Sequence, residues 1–433
     1  MVARVRSLRA RRPSGFGSFE SETVIVPHSF DIETATIYDL YADDSPFKKD
    51  PVMAQFILYG MPMSLYTGKA RSYMIKQKID FEERSGGAPE YVNEVASELG
   101  RVIVPVMKTP EGKIVQDGTD IIDWFEHRGL ARNSAYPKTP HQKVLSLILE
   151  MFGGEGLLRP AMHYRWNFDE TNLTFLTDQF GRMIFPTMSA EERAEITPKA
   201  QGRMRKAATI FGVVPETIDA IEAAYEEFLD HANEHFLTVP YWFGGVPTIG
   251  DYGMIASLYA HLGRDPYPAN QMKVRAPALY RWVERMQTSR NDTPEFLDAK
   301  PELPADDAIP ATLAPVLDLI GRDYAPEVKA MVAFTNQRLA GDEAPEPGSI
   351  VGGDPKMRVI GMCEFEWQGV TIKAGVFPYR FYLLGRIQAA FDALNDSEKT
   401  SVHQFLAGHD LETFIDARVT RAVSRKDNRE VWG

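Results

Sequence analysis

Two features of the segment Val102 to Glu126 could take part in binding chemistry. Pro105 lies within an apolar, β-forming run, and a proline removes a backbone donor from a strand, so the chain bends or exposes backbone there. Asp117 precedes a predicted helix, whose N-terminus gathers unpaired N–H groups with partial positive charge and so favours a carboxylate. Both also have purely structural interpretations, Pro105 as a bend in an edge strand and Asp117 as a plain helix N-cap.

Other residue patterns point less clearly to chemistry. His231 and His235 have a metal-compatible spacing on one predicted helix, but no further ligand cluster accompanies them, so we interpret them as part of a solvated helix face. Cys363, the single cysteine, lies in a strand-like run and is predicted to be a core residue rather than a nucleophile. No metal site is predicted.

The elements that must position Pro105 and Asp117 follow the order βαβαββα. Short apolar runs predict the strands, amphipathic periodicity predicts the helices, and Thr109 to Gly112 reads as a tight turn. This order is that of a thioredoxin-like domain, assigned to residues 53–130. The predicted strands cover Gln55–Gly60, Phe81–Glu83, Val102–Met107 and Lys113–Val115, and the predicted helices cover Ser64–Ile79, Pro89–Leu99 and Thr119–Arg128.

Beyond residue 130 the sequence becomes helical almost throughout. Apolar residues at helical periodicity predict an all-α bundle in residues 140–290. Residues 291–433 begin with a Pro- and acid-rich linker and are predicted to form a small mixed α/β extension, with a hairpin turning at Gln368-Gly369 and helices from Pro378 onward. The predicted fold class is therefore α+β.

Composition limits the classes of protein that fit. The chain has 433 residues, of which 44% are hydrophobic and 25% charged, as in soluble globular proteins with more than one core. A net charge of -12 argues against nucleic acid or an anionic membrane as the main partner, and no apolar run approaches the roughly 18 residues of a membrane span. One cysteine excludes an internal disulfide and fits a reducing compartment, so we expect a cytoplasmic location.

Residues 1–52 are predicted to be a partly disordered N-terminal extension. Its first stretch, "MVARVRSLRARRPSGFGSF", is rich in arginine and free of acid, which is typical of an organelle transit segment. A frayed tail or a misassigned start codon explains this composition equally well. The stretch has no apolar h-region, so secretion is not expected.

Three linked segments carry a resemblance to a known family. They are "VPVM" around Pro105, the acidic helix start "QDGTDIIDWFE", and "VPTIGDYGMIASLYAHL" in the helical half. Over about residues 55–287 they resemble the glutathione transferase superfamily. In the third segment, Thr248 and Asp251 resemble the family's helix-capping motif, which is a folding element.

The resemblance implies a glutathione site. Pro105 would be cis, and Val104 before it would present its backbone N–H and C=O to the cysteinyl part of glutathione, as an added strand pairs with a sheet edge. Asp117 would meet the γ-glutamyl amino group, and Gly118 would offer a backbone N–H to its carboxylate. Since the family usually has a serine hydroxyl where Gly118 stands, glutathione would bind more weakly unless another donor substitutes.

The resemblance also implies a hydroxyl that favours the glutathione thiolate, the reactive nucleophile. Aligning "SLYTGKAR" with the serine-type pattern puts Ser64 at the catalytic position, at a helix start whose dipole favours an anion. Tyr66, Thr67 and Tyr59 are alternatives, and Ser64 would otherwise be a plain N-cap.

The electrophile site implied by the resemblance falls in "FGGEGLLRPAMHYRWNF". Met162, Tyr164, Arg165 and Trp166 are its predicted substrate-binding residues, suited to a flat aromatic or amphipathic molecule. Interdomain packing explains the same residues equally well.

We therefore expect a homodimeric glutathione transferase-like enzyme whose co-substrate is glutathione and whose second substrate is a small hydrophobic electrophile. The sequence does not choose among substitution, ether cleavage, dehalogenation and isomerisation. The rival interpretation is a non-catalytic binding or assembly module of the same fold, favoured by Gly118 and by the lack of an unambiguous catalytic Tyr or Cys. The chain has no Cys-x-x-Cys pair, which excludes a thioredoxin-type oxidoreductase.

Overall fold

The computed structural model describes residues 55–290, 292–342, 344–354 and 356–433, so the predictions for the N-terminal extension lie outside the described residues. A thioredoxin-like sheet, a helical region and a mixed C-terminal extension follow one another, which confirms the predicted α+β class. A continuous cluster of buried hydrophobic side chains runs through all three parts. The domain boundaries stay predictions.

The thioredoxin-like sheet has four strands in the order β2-β1-β3-β4. Strand β1 pairs in parallel with β2 and antiparallel with β3, and β3 pairs antiparallel with β4. The strands are β1 (Phe56–Gly60), β2 (Phe81–Ser85), β3 (Val106–Lys108) and β4 (Ile114–Gln116). The helices are α1 (Leu65–Lys76), α2 (Ala96–Leu99), which follows a π-helical turn at Tyr91–Val95, and α3 (Gly118–Glu126).

Strand β3 is shorter than predicted, because it begins at Val106 and not at Val102. Pro105 has no N–H to donate, so the hydrogen-bond ladder does not continue through it. The Val104–Pro105 peptide bond is cis. Since Tyr59 pairs with Val106, the loop after β1 and the residues before β3 lie at the same end of the sheet.

The helical region contains a helix over Asp169–Ile184 that buries few side chains, among them Leu176 and Phe180. In the described residues no helix is both long and apolar enough to cross a membrane. The helices are α4 (Pro140–Met151), α5 (Leu158–Trp166), α6 (Asp169–Ile184), α7 (Ala190–Lys206), α8 (Ile218–Phe236), α9 (Ile249–Ala260), α10 (Pro266–Arg275) and α11 (Pro277–Met286), with a π-helical turn at Phe152–Gly156 between α4 and α5.

The extension contains two hairpins. The first turns at Gln368 and Gly369, as predicted, and both residues have positive φ. The second turns at Asp427-Asn428 and was not predicted. The elements are α12 (Ala314–Leu339), β5 (Met362–Trp367), β6 (Val370–Gly375), α13 (Pro378–Asp392), α14 (Asp396–Ala407), α15 (Thr413–Asp416), β7 (Val423–Lys426) and β8 (Arg429–Trp432).

The histidine pair on α8 is not a uniform solvated face, which corrects that interpretation. His235 is buried and stacks on Trp242 with ring centroids 5.2 Å apart. Burial lowers the pKa of His235 to about 4. Within the described ranges, no group of three or more His, Cys, Asp and Glu side chains is placed to hold a metal ion. Cys363 is buried, which confirms the prediction of a core residue.

The capping motif of α9 leads to a prediction about folding. Buried Asp251 accepts hydrogen bonds from the Trp242 N–H at 3.1 Å, the Thr248 N–H at 2.8 Å and the Trp282 Nε1–H at 3.1 Å. We expect Asp251→Ala to lower the free energy of unfolding by about 3 kcal/mol or more, because several buried donors lose their acceptor. Urea unfolding measures the loss.

The control is Asp178→Ala, since Asp178 is exposed and pairs only with surface groups, among them Arg182. It should change the free energy of unfolding by less than about 1 kcal/mol. Equal losses in the two variants would contradict the role assigned to Asp251.

Candidate functional site

Unpaired backbone precedes the cis peptide bond. Val104 is half-buried, and neither its N–H nor its C=O is hydrogen-bonded to another described residue. The carbonyl of Pro105 accepts from the Asp117 N–H at 3.2 Å, which ties the start of β3 to the start of α3. A β-carbon on Gly86 would lie 2.6 Å from Val104 Cγ1, so a larger side chain there would collide with Val104. The free backbone of Val104 is therefore held in a defined position.

Asp117 caps α3 and is itself covered. Its φ is +96°, and its Oδ1 accepts from the Thr119 N–H at 2.8 Å, as an N-cap does. The hydroxyl of Tyr379, from α13, donates to the same oxygen at 3.0 Å. Only 6% of Asp117 is exposed, and Gly118 is buried beside it. The α3 N-terminus is thus sealed from solvent.

A buried lysine occupies the space beside Gly118. Lys69 Nζ donates to Thr119 Oγ1 at 2.6 Å and forms an ion pair with Glu150. A β-carbon on Gly118 would lie 3.2 Å from Lys69 Cδ and 3.2 Å from the carbonyl oxygen of Tyr66. The close packing of α1 against α3 gives a physical reason for glycine at the position where the family usually has serine.

The two predicted catalytic hydroxyls have different surroundings. Ser64 is half-buried and caps α1, accepting from the Thr67 N–H at 3.3 Å, while its own proton has no acceptor in the described part of the chain. Tyr66 donates its hydroxyl proton to Glu155 Oε1 at 3.0 Å. Burial and the Glu155 carboxylate raise the pKa of Tyr66 well above its usual range. Of the two, Ser64 has the free proton that a thiolate needs.

The two alternatives to these hydroxyls are buried. Thr67 packs against Gly60, and its Oγ1 accepts from the Met61 N–H at 3.4 Å. Tyr59 packs against Tyr91 with the rings tilted and their centroids 5.0 Å apart, and burial raises the pKa of Tyr59 to about 12. Both side chains serve packing in this structure.

The four predicted substrate-binding residues, Met162, Tyr164, Arg165 and Trp166, are buried on α5. Arg165 pairs with Asp265 and donates to the carbonyl of Met63 at 3.0 Å, which links the helical region to the loop after β1. These contacts are those of interdomain packing, the other interpretation that the sequence left open. The structure does not bring these residues together with Ser64 by any hydrogen bond or ring contact between described residues.

A buried cluster of ionised groups adjoins Tyr66 instead. Arg380 on α13 is 2% exposed, donates to Glu155 Oε2 at 3.0 Å and also pairs with Glu327. Glu327 in turn accepts from Arg159 at 2.8 Å. Burial raises the pKa of Glu155, and the nearby Arg380 only partly opposes this rise. For Glu327 the two guanidinium groups of Arg380 and Arg159 outweigh burial and hold its pKa below the usual range.

A narrow cavity lies next to this cluster. The residues that line it come from α1, the π-helical turn after α4, and the extension. They combine apolar surface, hydroxyls and charge: Tyr66, Glu155, Met357, Arg358, Phe377, Pro378, Tyr379 and Glu430.

The extension supplies the residues that sequence analysis missed. Asp117, Asp120 and Asp123 recur every three residues, from the N-cap of α3 along one face of that helix. Tyr379 and Tyr382 have the same spacing on one face of α13. The Tyr382 hydroxyl donates to Asp120 Oδ1 at 2.9 Å. The only signal in the sequence was this matching periodicity in two distant segments.

A thioredoxin-like domain followed by a helical bundle, with a cis-proline loop facing a capped helix start, is the architecture that the sequence resemblance predicted. Residues 58–130 match the family model described as "Glutathione S-transferase, N-terminal domain". Residues 58–130 therefore carry a glutathione S-transferase N-terminal domain, in agreement with the resemblance seen in the sequence.

Solved structures of a β-etherase and of glutathione S-transferases are similar to just over half of the chain. The β-etherase LigF from Sphingobium is 17% identical, with 56% of this chain and 98% of that chain covered and a TM-score of 0.39. A glutathione S-transferase from Methylobacterium radiotolerans, solved with glutathione sulfonate, is 18% identical, with 57% and 96% covered and a TM-score of 0.32. A Tau class enzyme from mango is 14% identical, with 54% and 89% covered and a TM-score of 0.32. No curated protein matches the chain.

The ion cluster yields a prediction. Glu327→Gln should lower the free energy of unfolding by about 3–5 kcal/mol, because the buried guanidinium groups of Arg159 and Arg380 would lose the carboxylate that both of them pair with. Thermal and urea unfolding measure the loss. Glu226→Gln is the matched control, since the Glu226 side chain is 42% exposed and pairs with Arg275 at the surface. A loss in Glu327→Gln no larger than in Glu226→Gln would contradict the cluster's role.

Proposed function

We propose that the chain is a glutathione-dependent enzyme of the transferase type. Glutathione binds with its cysteinyl part along Val104 and Pro105 and its γ-glutamyl end at Asp117 and Gly118. Ser64 donates a hydrogen bond to the sulfur and so favours the thiolate. The thiolate attacks an electrophilic carbon, a C–S bond forms, and any displaced group leaves with the electron pair of the bond that breaks.

The observation that carries this proposal is the backbone of Val104, which has no partner among the described residues. Val104 is half-buried, and its N–H and C=O need a ligand or water to satisfy them; an extended peptide can do so by strand-like pairing. Glutathione is such a peptide, and residues 58–130 match a glutathione S-transferase domain.

The position of Ser64 supports the chemical step. Ser64 follows β1 and Val104 precedes β3, and these two strands are paired, so both residues lie at one end of the sheet. Lowering a thiol pKa by about two units needs only roughly 2.7 kcal/mol of preferential stabilisation of the thiolate. One hydroxyl at a helix N-terminus with nearby backbone donors supplies that order of energy.

The substrate class is an organic electrophile with an apolar or aromatic body. The cavity beside Tyr66 has a volume of only about 10 Å³, room for about one water molecule, so an organic electrophile would need it to widen. Its lining offers apolar surface from Met357 and Phe377 and a cation from Arg358. We propose this lining, instead of Met162, Tyr164, Arg165 and Trp166, as the surface that contacts the electrophile when the cavity widens. The homodimer and the cytoplasmic location stay predictions of the sequence.

The covering of Asp117 favours a second candidate function. With the Tyr379 hydroxyl on Asp117 and the start of α3 buried, the chain could serve as a non-catalytic binding or assembly module. A module of this kind would not bind glutathione, so the same experiment separates the two functions.

The test is titration of the protein with reduced glutathione while thiolate absorbance is followed in the ultraviolet against pH. We expect the bound thiol to titrate about two pH units below free glutathione in the native protein and in Tyr66→Phe, because the Tyr66 proton already goes to Glu155. Ser64→Ala should return the thiol to its free value.

Two outcomes would contradict the proposal. If glutathione binds with an unshifted thiol, the enzyme proposal loses its mechanism. If Tyr66→Phe rather than Ser64→Ala removes the shift, the catalytic hydroxyl is assigned to the wrong residue.

A further inference from the structure

The C-terminal extension lies directly on the proposed glutathione site. Along α13, the Tyr379 hydroxyl contacts Asp117 Oδ1 at 3.0 Å and the Tyr382 hydroxyl contacts Asp120 Oδ1 at 2.9 Å. One turn further, Arg386 pairs with Asp123. Three side chains of α13, one per turn, therefore reach the acidic residues along α3.

The second hairpin covers the neighbouring strand edge. Arg425 Nε donates to Asp120 Oδ2 at 2.6 Å, and Arg425 Nη2 donates to Gln116 Oε1 at 2.7 Å. Asn428 Oδ1 accepts from the Gln116 N–H at 3.0 Å, so it satisfies backbone of the edge strand β4. Together, α13 and this hairpin form a cover, which we define as residues 378–386 and 423–432.

The cover closes one part of the site and leaves another part accessible. Thr119 is fully buried and Asp117 is 6% exposed, so a γ-glutamyl group cannot reach Asp117 in this conformation. Val104, where the cysteinyl part would pair, stays half-buried with free backbone groups. Tyr379 is the cover residue that touches both Asp117 and Thr119.

We propose that Tyr379 competes with glutathione for Asp117, so that the γ-glutamyl end binds only when the cover has moved off the start of α3. This inference rests on the proposed function. The exchange is chemically reasonable, since the ammonium group of glutathione would form an ion pair with Asp117, whereas the Tyr379 hydroxyl is a neutral donor. Tyr379 is thus a residue that sets glutathione affinity from outside the family domain.

The geometry predicts the effect of removing the hydroxyl. Tyr379→Phe keeps the ring, which meets Tyr66 edge-on with centroids 6.2 Å apart, and removes both hydrogen bonds. A hydrogen bond to a charged group corresponds to about ten-fold or more in an equilibrium constant. We expect Tyr379→Phe to bind reduced glutathione about ten-fold more tightly than the native chain.

The control is Tyr73→Phe, which removes a tyrosine hydroxyl that donates to Glu126 of the same helix α3 at 2.9 Å but lies outside the cover. Calorimetric titration of the full chain with reduced glutathione should give a dissociation constant for Tyr73→Phe within about two-fold of the native value. Unchanged or weaker binding by Tyr379→Phe, or equal tightening in both variants, would overturn competition at Asp117.

A second measurement needs no variant. Hydrogen exchange of the native chain should become faster in residues 378–386 when glutathione is added, because the ligand displaces the cover. Unchanged or slower exchange with glutathione bound overturns the inference and leaves the proposed function standing. Failure of the proposed function is distinguishable, since then no variant binds glutathione and Ser64 has no effect on its thiol.

Discussion

The packing of the three parts of this chain depends on the ion pairs of the buried Arg380 guanidinium group. It is charged in a site with almost no access to water, and such a group is tolerated only if carboxylates pair with it. Its two partners, Glu155 and Glu327, come from the helical region and from α12, and Glu155 also accepts from Tyr66 of the thioredoxin-like domain. One cluster of charge therefore joins the three parts, and the extension is part of the folded core rather than an appendage.

The local parts of the site were predictable because their causes are local. A proline in an apolar run interrupts a strand wherever that run is placed, and an aspartate before an amphipathic segment caps a helix. Ser64 and Asp117 are therefore found at helix starts, as expected. The first hairpin of the extension was predictable for the same reason, since Gln368 and Gly369 adopt the positive φ that its tight turn requires.

The rest was not predictable because it depends on pairs that are distant in sequence. Tyr379 and Asp117 are 262 residues apart, and the sequence of neither segment indicates that these two residues come into contact. The same limit applies to the residues on α5 that were predicted to bind substrate. "MHYRW" has the composition of a ligand pocket, but that composition also suits a packed helix, and only the contact of Arg165 with Asp265 and Met63 distinguishes the two.

In our proposal the enzyme and the non-catalytic module are two ends of one equilibrium, and these contacts favour one end. When a binding-competent state is only partly populated, the apparent dissociation constant rises in inverse proportion to its population. The cover is held by the ion pairs of Arg386 and Arg425 as well as by tyrosine hydroxyls, so the closed state is favoured by several independent contacts. We expect Gly118 to weaken glutathione binding in the open site further, because it has no hydroxyl to offer the ligand. We expect a chain with a strengthened cover to behave as a module, and one without the Tyr379 hydroxyl to bind glutathione more tightly. In this proposal the extension sets the position between these states, and the thioredoxin-like domain carries the chemistry.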